Sequence, residues 1–226
     1  EISDSLDKAE TLAEIEDIYR PFKPKRKTRA SVAKEKGLEP LALTIFAQED
    51  AKTLPIEMAK AYVDSEKGVE TEQDALQGAL DIIAEMISDN ADIRKRVRNI
   101  VFRNGNLVSK AVDPEKDSVY TLYYDFKEPV EKIASHRVLA VNRGEDEEVL
   151  KVSIEIEPSK CLNIMKMLLV KGNTPCGNAV ITAAEDAYDR LIFPSIEREI
   201  RTALTDDADE KAIKLFSLNL HQLLMQ

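Results

Sequence analysis

The 226 residues contain no tryptophan, two histidines and two cysteines. His136 and His221 stand far apart, and neither has a cysteine at metal-ligand spacing. Cys161 and Cys176 make no disulfide framework and read as ordinary buried residues. No Gly-x-Ser-x-Gly, His-Glu-x-x-His or Cys-x-x-Cys pattern occurs. Gly172-Asn-Thr-Pro-Cys-Gly177 lacks the Gly-Lys-Ser/Thr ending of a phosphate-cradling loop. The acidic groups Asp113/Glu115/Asp117 and Glu145 to Glu148 do not match a calcium loop and read as solvated loops. A chain without catalytic residues, metal or cofactor is therefore expected. The longest apolar run, Leu162 to Val170, is interrupted by Asn163 and Lys166 and falls short of the ~20 residues a membrane helix needs. No N-terminal basic-then-apolar signal is present, so a reducing cytoplasm is the expected compartment and no membrane is expected among its partners.

What remains is rich in charge and in helix formers. Charged residues make up 33% of the chain and hydrophobic residues 43%, enough to bury a core. Aromatics are only 5%, and Glu, Lys, Ala and Leu dominate, which favours helices. The net charge of −10 argues against a chain that coats nucleic acid over its whole surface.

The apolar spacing predicts a mainly α fold. Ile2, Leu6, Ala9, Leu12, Ile15 and Tyr19 fall at three- and four-residue spacing and give one amphipathic helix up to Tyr19. Pro40 and Pro55 suit the first turns of two short helices. Thr71-Glu-Gln-Asp74 has the form of a helix start, followed by Leu76, Ala79, Leu80, Ile83 and Ile87 on one face. A further helix carries Ile93, Val97, Ile100 and Val101 as far as Asn104-Gly105-Asn106. Asp113-Pro114 reads as the start of a helix bearing Tyr120, Tyr123, Tyr124 and Phe126, aromatics at core spacing that also have the chemistry of a base-stacking platform. Ser135 reads as the cap of a helix that Gly144 ends. Val149 to Glu157 alternates as a strand, with Leu107 to Val112 as its local partner, so at most one short β-hairpin is expected. Ala179 to Phe193 reads as a helix stopped by Pro194; Ser195 and Thr205 read as caps of two later helices. Residues 38–109 read as a small helix-turn-helix-like module inserted in a helical body of residues 1–37 plus 110–226.

One segment breaks the acidic background. Six of the ten residues from Arg20 to Arg29 are basic: Arg20, Lys23, Lys25, Arg26, Lys27 and Arg29. A total of −10 with +6 inside this window leaves −16 elsewhere. Pro21 and Pro24 favour an extended, stiff arm. Thr28 reads as the N-cap of a short helix that Gly37 ends in the left-handed conformation. Two uses of the arm fit the sequence. It can contact phosphates, without base preference and with steep salt dependence. It can also dock internally on the acidic remainder.

These residues also carry a resemblance. Glu16-Asp-Ile-Tyr-Arg-Pro-Phe-Lys-Pro-Lys-Arg-Lys-Thr-Arg-Ala30 and Ala33-Lys-Glu-Lys-Gly-Leu-Glu-Pro-Leu-Ala42 resemble the N-terminal region of the Tex family. So do Asp74-Ala-Leu-Gln-Gly-Ala-Leu-Asp-Ile-Ile-Ala-Glu85, Asp125 to Val130, Ser135 to Glu145, and Asp186 to Arg201. The likeness implies a bacterial transcription accessory protein, related to a eukaryotic transcription-elongation factor that handles histones. It also implies a longer protein, since Tex proteins continue into ribonuclease-H-like, helix-hairpin-helix and S1 regions without counterpart here. The opening on Glu1 and the stop inside a helical pattern at Gln226 agree with that expectation. The function expected is a non-catalytic scaffold whose basic arm adds non-specific phosphate contacts, with Arg137 and Arg143 as further candidates. The alternative is a platform for RNA polymerase or ribosome-associated machinery, with no nucleic-acid contact of its own.

Overall fold

The computed structural model describes residues 6, 9, 11–23, 27–50 and 52–225. The chain is mainly helical and packs as two compact units, residues 1–97 with 161–194, and residues 98–160 with 195–226. This division runs through helices.

In the first unit, helix α5 (Glu72–Ser88) lies at the centre. It packs against α2 (Arg29–Glu35), α3 (Glu39–Ala47), α4 (Pro55–Ala59) and α9 (Pro175–Ala187), the helix that follows α8 (Pro158–Leu169) in the chain. Thr71 caps α5 as expected: its hydroxyl accepts from the Asp74 N–H, and the Asp74 carboxylate accepts from the Thr71 N–H. The face α5 buries runs Ala75, Ala79, Ile82, Ile83, Ile87, with Leu76 and Leu80 only half covered. Each buried isoleucine contributes roughly 1.5–3 kcal/mol relative to exposure. Small residues set the spacing between α5 and α2. A Cβ on Gly78 would meet Leu38 Cδ1 at 2.4 Å and Ala33 Cβ at 3.2 Å, so only glycine permits this approach.

Helix α1 (Leu12–Tyr19) departs from expectation. Its predicted apolar stripe faces solvent, with Leu12 73% and Tyr19 52% exposed, while Asp17 is buried. Ile2, at the head of that stripe, lies outside the described residues. The inward face is polar because a partner waits there: Arg94, on α6 (Ala91–Asn104), is wholly buried and its Nε donates to Asp17 Oδ1 at 2.5 Å. Beside it the Lys95 ammonium pairs with Glu14 at 2.6 Å. An ion pair has replaced the apolar contact that periodicity alone predicts.

The second unit holds a three-stranded antiparallel sheet of order β2-β1-β3, comprising β1 (Asn106–Ala111), β2 (Asp125–Pro129) and β3 (Leu150–Glu155). The expected β1–β3 pairing is present, with Leu107 opposite Ile154 and Ser109 opposite Val152. The third strand is a correction. Residues 113–129 form turns, a 3-10 turn and β2 rather than a helix. Phe126 lies opposite Ser109 in β2, and Tyr120 is buried with its hydroxyl donating to Glu147 at 2.7 Å. Tyr123 meets Phe126 edge-on at 5.3 Å. These aromatics serve strand pairing and packing.

The outer edge of β3 is closed by side chains. The Val152 N–H donates to Glu145 and the Ile154 N–H donates to Glu197 at 2.7 Å. Arg201 donates to the Val152 carbonyl at 3.3 Å and pairs with Glu145. Charged groups thus occupy the hydrogen-bonding positions another strand would need. Glu145 belongs to α7 (Ser135–Asp146), in which Gly144 is an interior residue rather than a stop and Ala134, not Ser135, is the N-cap.

Two more boundaries differ. Pro194 does not stop a helix; the chain makes a π turn at Tyr188–Ile192 and continues into α10 (Phe193–Leu224). Proline has no N–H for the carbonyl four residues back and its ring crowds that carbonyl, and the wider turn relieves both. Ser195 and Thr205 lie inside α10, and the Thr205 hydroxyl donates to the Arg201 carbonyl at 3.0 Å instead of capping. Among the described residues, no helix is long and apolar enough to cross a membrane.

Candidate nucleic-acid interface

The basic segment is held at both ends. On its N-terminal side, α1 is fixed through Asp17–Arg94 and Glu14–Lys95. On its C-terminal side, Thr28 caps α2 with Ser31, and the Thr28 hydroxyl donates to Glu85 on α5 at 3.0 Å. Gly37 ends α2 with φ of 83°, as its sequence position predicts.

Between these anchors the arm is not uniformly extended. Arg20–Phe22 form a 3-10 turn continuing α1, since the φ that Pro21 imposes is also helical. Extension begins at Lys23, with φ −67° and ψ 130°, the geometry a residue before proline prefers. Lys25 and Arg26 lie outside the described residues. Arg20 is half-buried, whereas Lys23, Lys27 and Arg29 are exposed. Among the described residues, Lys23, Lys27 and Arg29 make no ion pair.

Lys27 and Arg29 also line a groove of about 640 Å³ between α2 and α5, with Val32, Leu38 and Gly78 among its apolar lining. The opposite side carries Glu70, Asp74, Gln77 and Asp81. Burial pushes the Asp81 carboxyl up, opposed first by the charge of Arg190 and then by that of Arg29. Hydrogen bonds from the Thr71 hydroxyl and N–H hold Asp74 below its ordinary value, with the charge of Lys36 adding to them. The Lys36 ammonium itself donates to the Gly68 carbonyl at 2.7 Å. The groove wall thus balances part of the arm's charge without engaging Arg29 in an ion pair.

The two remaining candidates belong to the second unit. Arg137 pairs with Glu128 at 2.7 Å, so its charge is already matched. Arg143 is exposed on α7. What the sequence reading passed over is aromatic: Tyr19 and Phe22, 52% and 58% exposed, stand among the arm's cations. The signal was present in Tyr19-Arg-Pro-Phe-Lys23, where rings and charges alternate. Both cysteines are buried as free thiols, and burial pushes the Cys161 thiol up. Among the described residues, no three of His, Cys, Asp and Glu come together in a way that could hold a metal ion.

A family model described as Tex central region-like matches residues 50–216. Protein tex of Bordetella pertussis is 34% identical over 241 residues, covering 100% of this chain and 30% of that protein. The chain belongs to the Tex family. The uncharacterized protein YdcI of Bacillus subtilis is 44% identical to this Tex-family chain over 227 residues, covering 98% of the chain and 31% of YdcI. The human S1 RNA-binding domain-containing protein 1 is 28% identical over 232 residues, covering 95% of the chain and 23% of that protein. The chain thus spans less than a third of the length of these relatives.

Proposed function

We propose that this Tex-family region is a non-catalytic helical scaffold whose basic arm makes non-specific contacts with nucleic-acid phosphates. The observation that carries this reading is the state of Lys23, Lys27 and Arg29: exposed, and without ion pairs among the described residues, in a chain of net charge −10. Cations left in solvent between two fixed ends are available to a polyanion, and each phosphate they neutralise releases counterion. Arginine suits bidentate phosphate contact and lysine acts as a point charge. The names of two relatives, a transcriptional accessory protein and an S1 RNA-binding domain protein, agree with a nucleic-acid setting. The test is binding of the full chain to an oligonucleotide at several salt concentrations, beside a Lys25→Ala, Arg26→Ala, Lys27→Ala variant. Equal affinity of the two proteins at low salt would remove the reading.

A second reading rests on a different observation. The C-terminal part of α10 exposes Ile213, Phe216, Leu220, Leu223 and Leu224 on one face. An apolar stripe of this kind suits a protein partner, such as RNA polymerase or ribosome-associated machinery. A pull-down of those assemblies that is lost on Phe216→Ser and Leu220→Ser, while the oligonucleotide affinity is unchanged, would favour it.

A further inference from the structure

The exposed side of α1 and the turn after it combines two chemistries. Leu12, Ile15, Tyr19 and Phe22 recur at three- and four-residue spacing and are all exposed, with Tyr19 and Phe22 nearest the arm. The 3-10 turn Arg20–Phe22 keeps the helical sense, so rings three positions apart emerge on the same side. Leaving two aromatic rings half in water forgoes burial free energy, and nothing in the packing of α1 calls for it, since its inward face carries Asp17. Immediately after the second ring come Lys23, and then Lys27 and Arg29, the cations that make no ion pair among the described residues.

The requirements of the surface select its occupant. A duplex offers a line of phosphates but keeps its base faces stacked internally, so it could use the cations and not the rings. An apolar protein surface could use the rings, but would leave the ammonium of Lys23, the residue next to Phe22, without a partner. A single-stranded nucleic acid supplies both features at once, unstacked base faces and a phosphate on every nucleotide.

We propose that Tyr19 and Phe22 form a stacking platform for bases of a single strand, with Lys23, Lys27 and Arg29 tracking its phosphates. The inference rests on the phosphate reading and adds a preference, for single strands over duplex, that charge alone does not give. Tyr19 and Phe22 carry contact area with few torsions to fix, and stacking on them is tolerant of base identity. The strand is therefore bound without sequence preference.

The test separates the two ideas. Wild type, Tyr19→Ala with Phe22→Ala, and Lys23→Ala with Lys27→Ala and Arg29→Ala would each be titrated with oligothymidylate and with a short DNA duplex. Both rings are exposed, so the ring variant keeps the wild-type circular dichroism and melting temperature. It binds oligothymidylate about tenfold or more weakly, since a stacked base contributes roughly 1–3 kcal/mol and 1.4 kcal/mol is tenfold. Its duplex affinity stays within about twofold of wild type. Because the chain has no tryptophan, Phe22→Trp supplies a single reporter whose emission is quenched as oligothymidylate binds. A ring variant that binds single strand as wild type does, while the cation variant does not, would overturn the platform and leave the phosphate reading standing. An equal loss on single strand and duplex would also overturn it. Wild-type binding that neither variant alters would remove both.

Discussion

Replacing Asp17 with alanine gives the sharpest structural forecast. Asp17 and Arg94 have side chains 3% and 0% exposed, and they join helices 77 residues apart in sequence. The Asp17→Ala variant removes the carboxylate that accepts from the buried Arg94 Nε. Removing one member of a buried pair costs about 3–5 kcal/mol, against a typical total stability of about 5–15 kcal/mol. For a chain of this size, about 3 kcal/mol lowers Tm by roughly 6–12 °C. Urea unfolding followed by circular dichroism should show the same loss in free energy. The companion variant Asp17→Leu with Arg94→Met removes both charges and keeps the volume, and it should recover most of the loss or exceed wild type. An Asp17→Ala loss below about 1 kcal/mol, the figure for an exposed pair, would refute the reasoning. It would also mean that α1 does not anchor the arm as described.

Other expectations follow from single contacts. Gly78→Ala places a methyl 2.4 Å from Leu38 Cδ1 and 3.2 Å from Ala33 Cβ and should cost about 1–3 kcal/mol in urea unfolding. Glu197→Ala leaves the Ile154 N–H without its acceptor and should lower stability by about 1–3 kcal/mol, whereas Glu197→Gln, which retains a carbonyl, should lose less. The Asp50 carboxyl accepts from the N–H groups of Thr53, the larger influence, and Lys52, which hold it at about 2, so its carbon-13 titration should have a midpoint well below 3.8. Because the folded value is the lower one, its contribution is present above pH 3.8 and fades as pH falls towards 2. Cys161 and Cys176 are buried, so both should react with a thiol reagent only after denaturant is added.

Some features set by local chemistry were legible in the sequence, although the cap and stop readings at Ser135, Gly144, Ser195 and Thr205 were not met. The N-cap at Thr28, the capping box at Thr71, the left-handed Gly37 and the alternation of β3 each depend on a few neighbouring residues. Features set by a distant partner were not. The buried face of α1 carries Asp17 because Arg94 lies opposite, and no window around Asp17 contains that arginine. Tyr120 to Pro129 shows helical aromatic spacing, yet β2 forms because β1 offers an edge to pair with. Pro194 looked like a stop because a π turn, which absorbs it, has no pattern of its own in sequence. The candidate interface was half legible: the cations stood out by composition, whereas the exposure of Tyr19 and Phe22 depends on which side of α1 turns inward.

The most direct measurement is the slope of log affinity against log salt for a single-stranded oligonucleotide, compared between wild type and the Lys23→Ala, Lys27→Ala, Arg29→Ala variant. Three lost phosphate contacts should flatten the slope by about 2, at about 0.7 per contact on a single strand. Identical slopes, at whatever affinity, would show that these cations touch no phosphate.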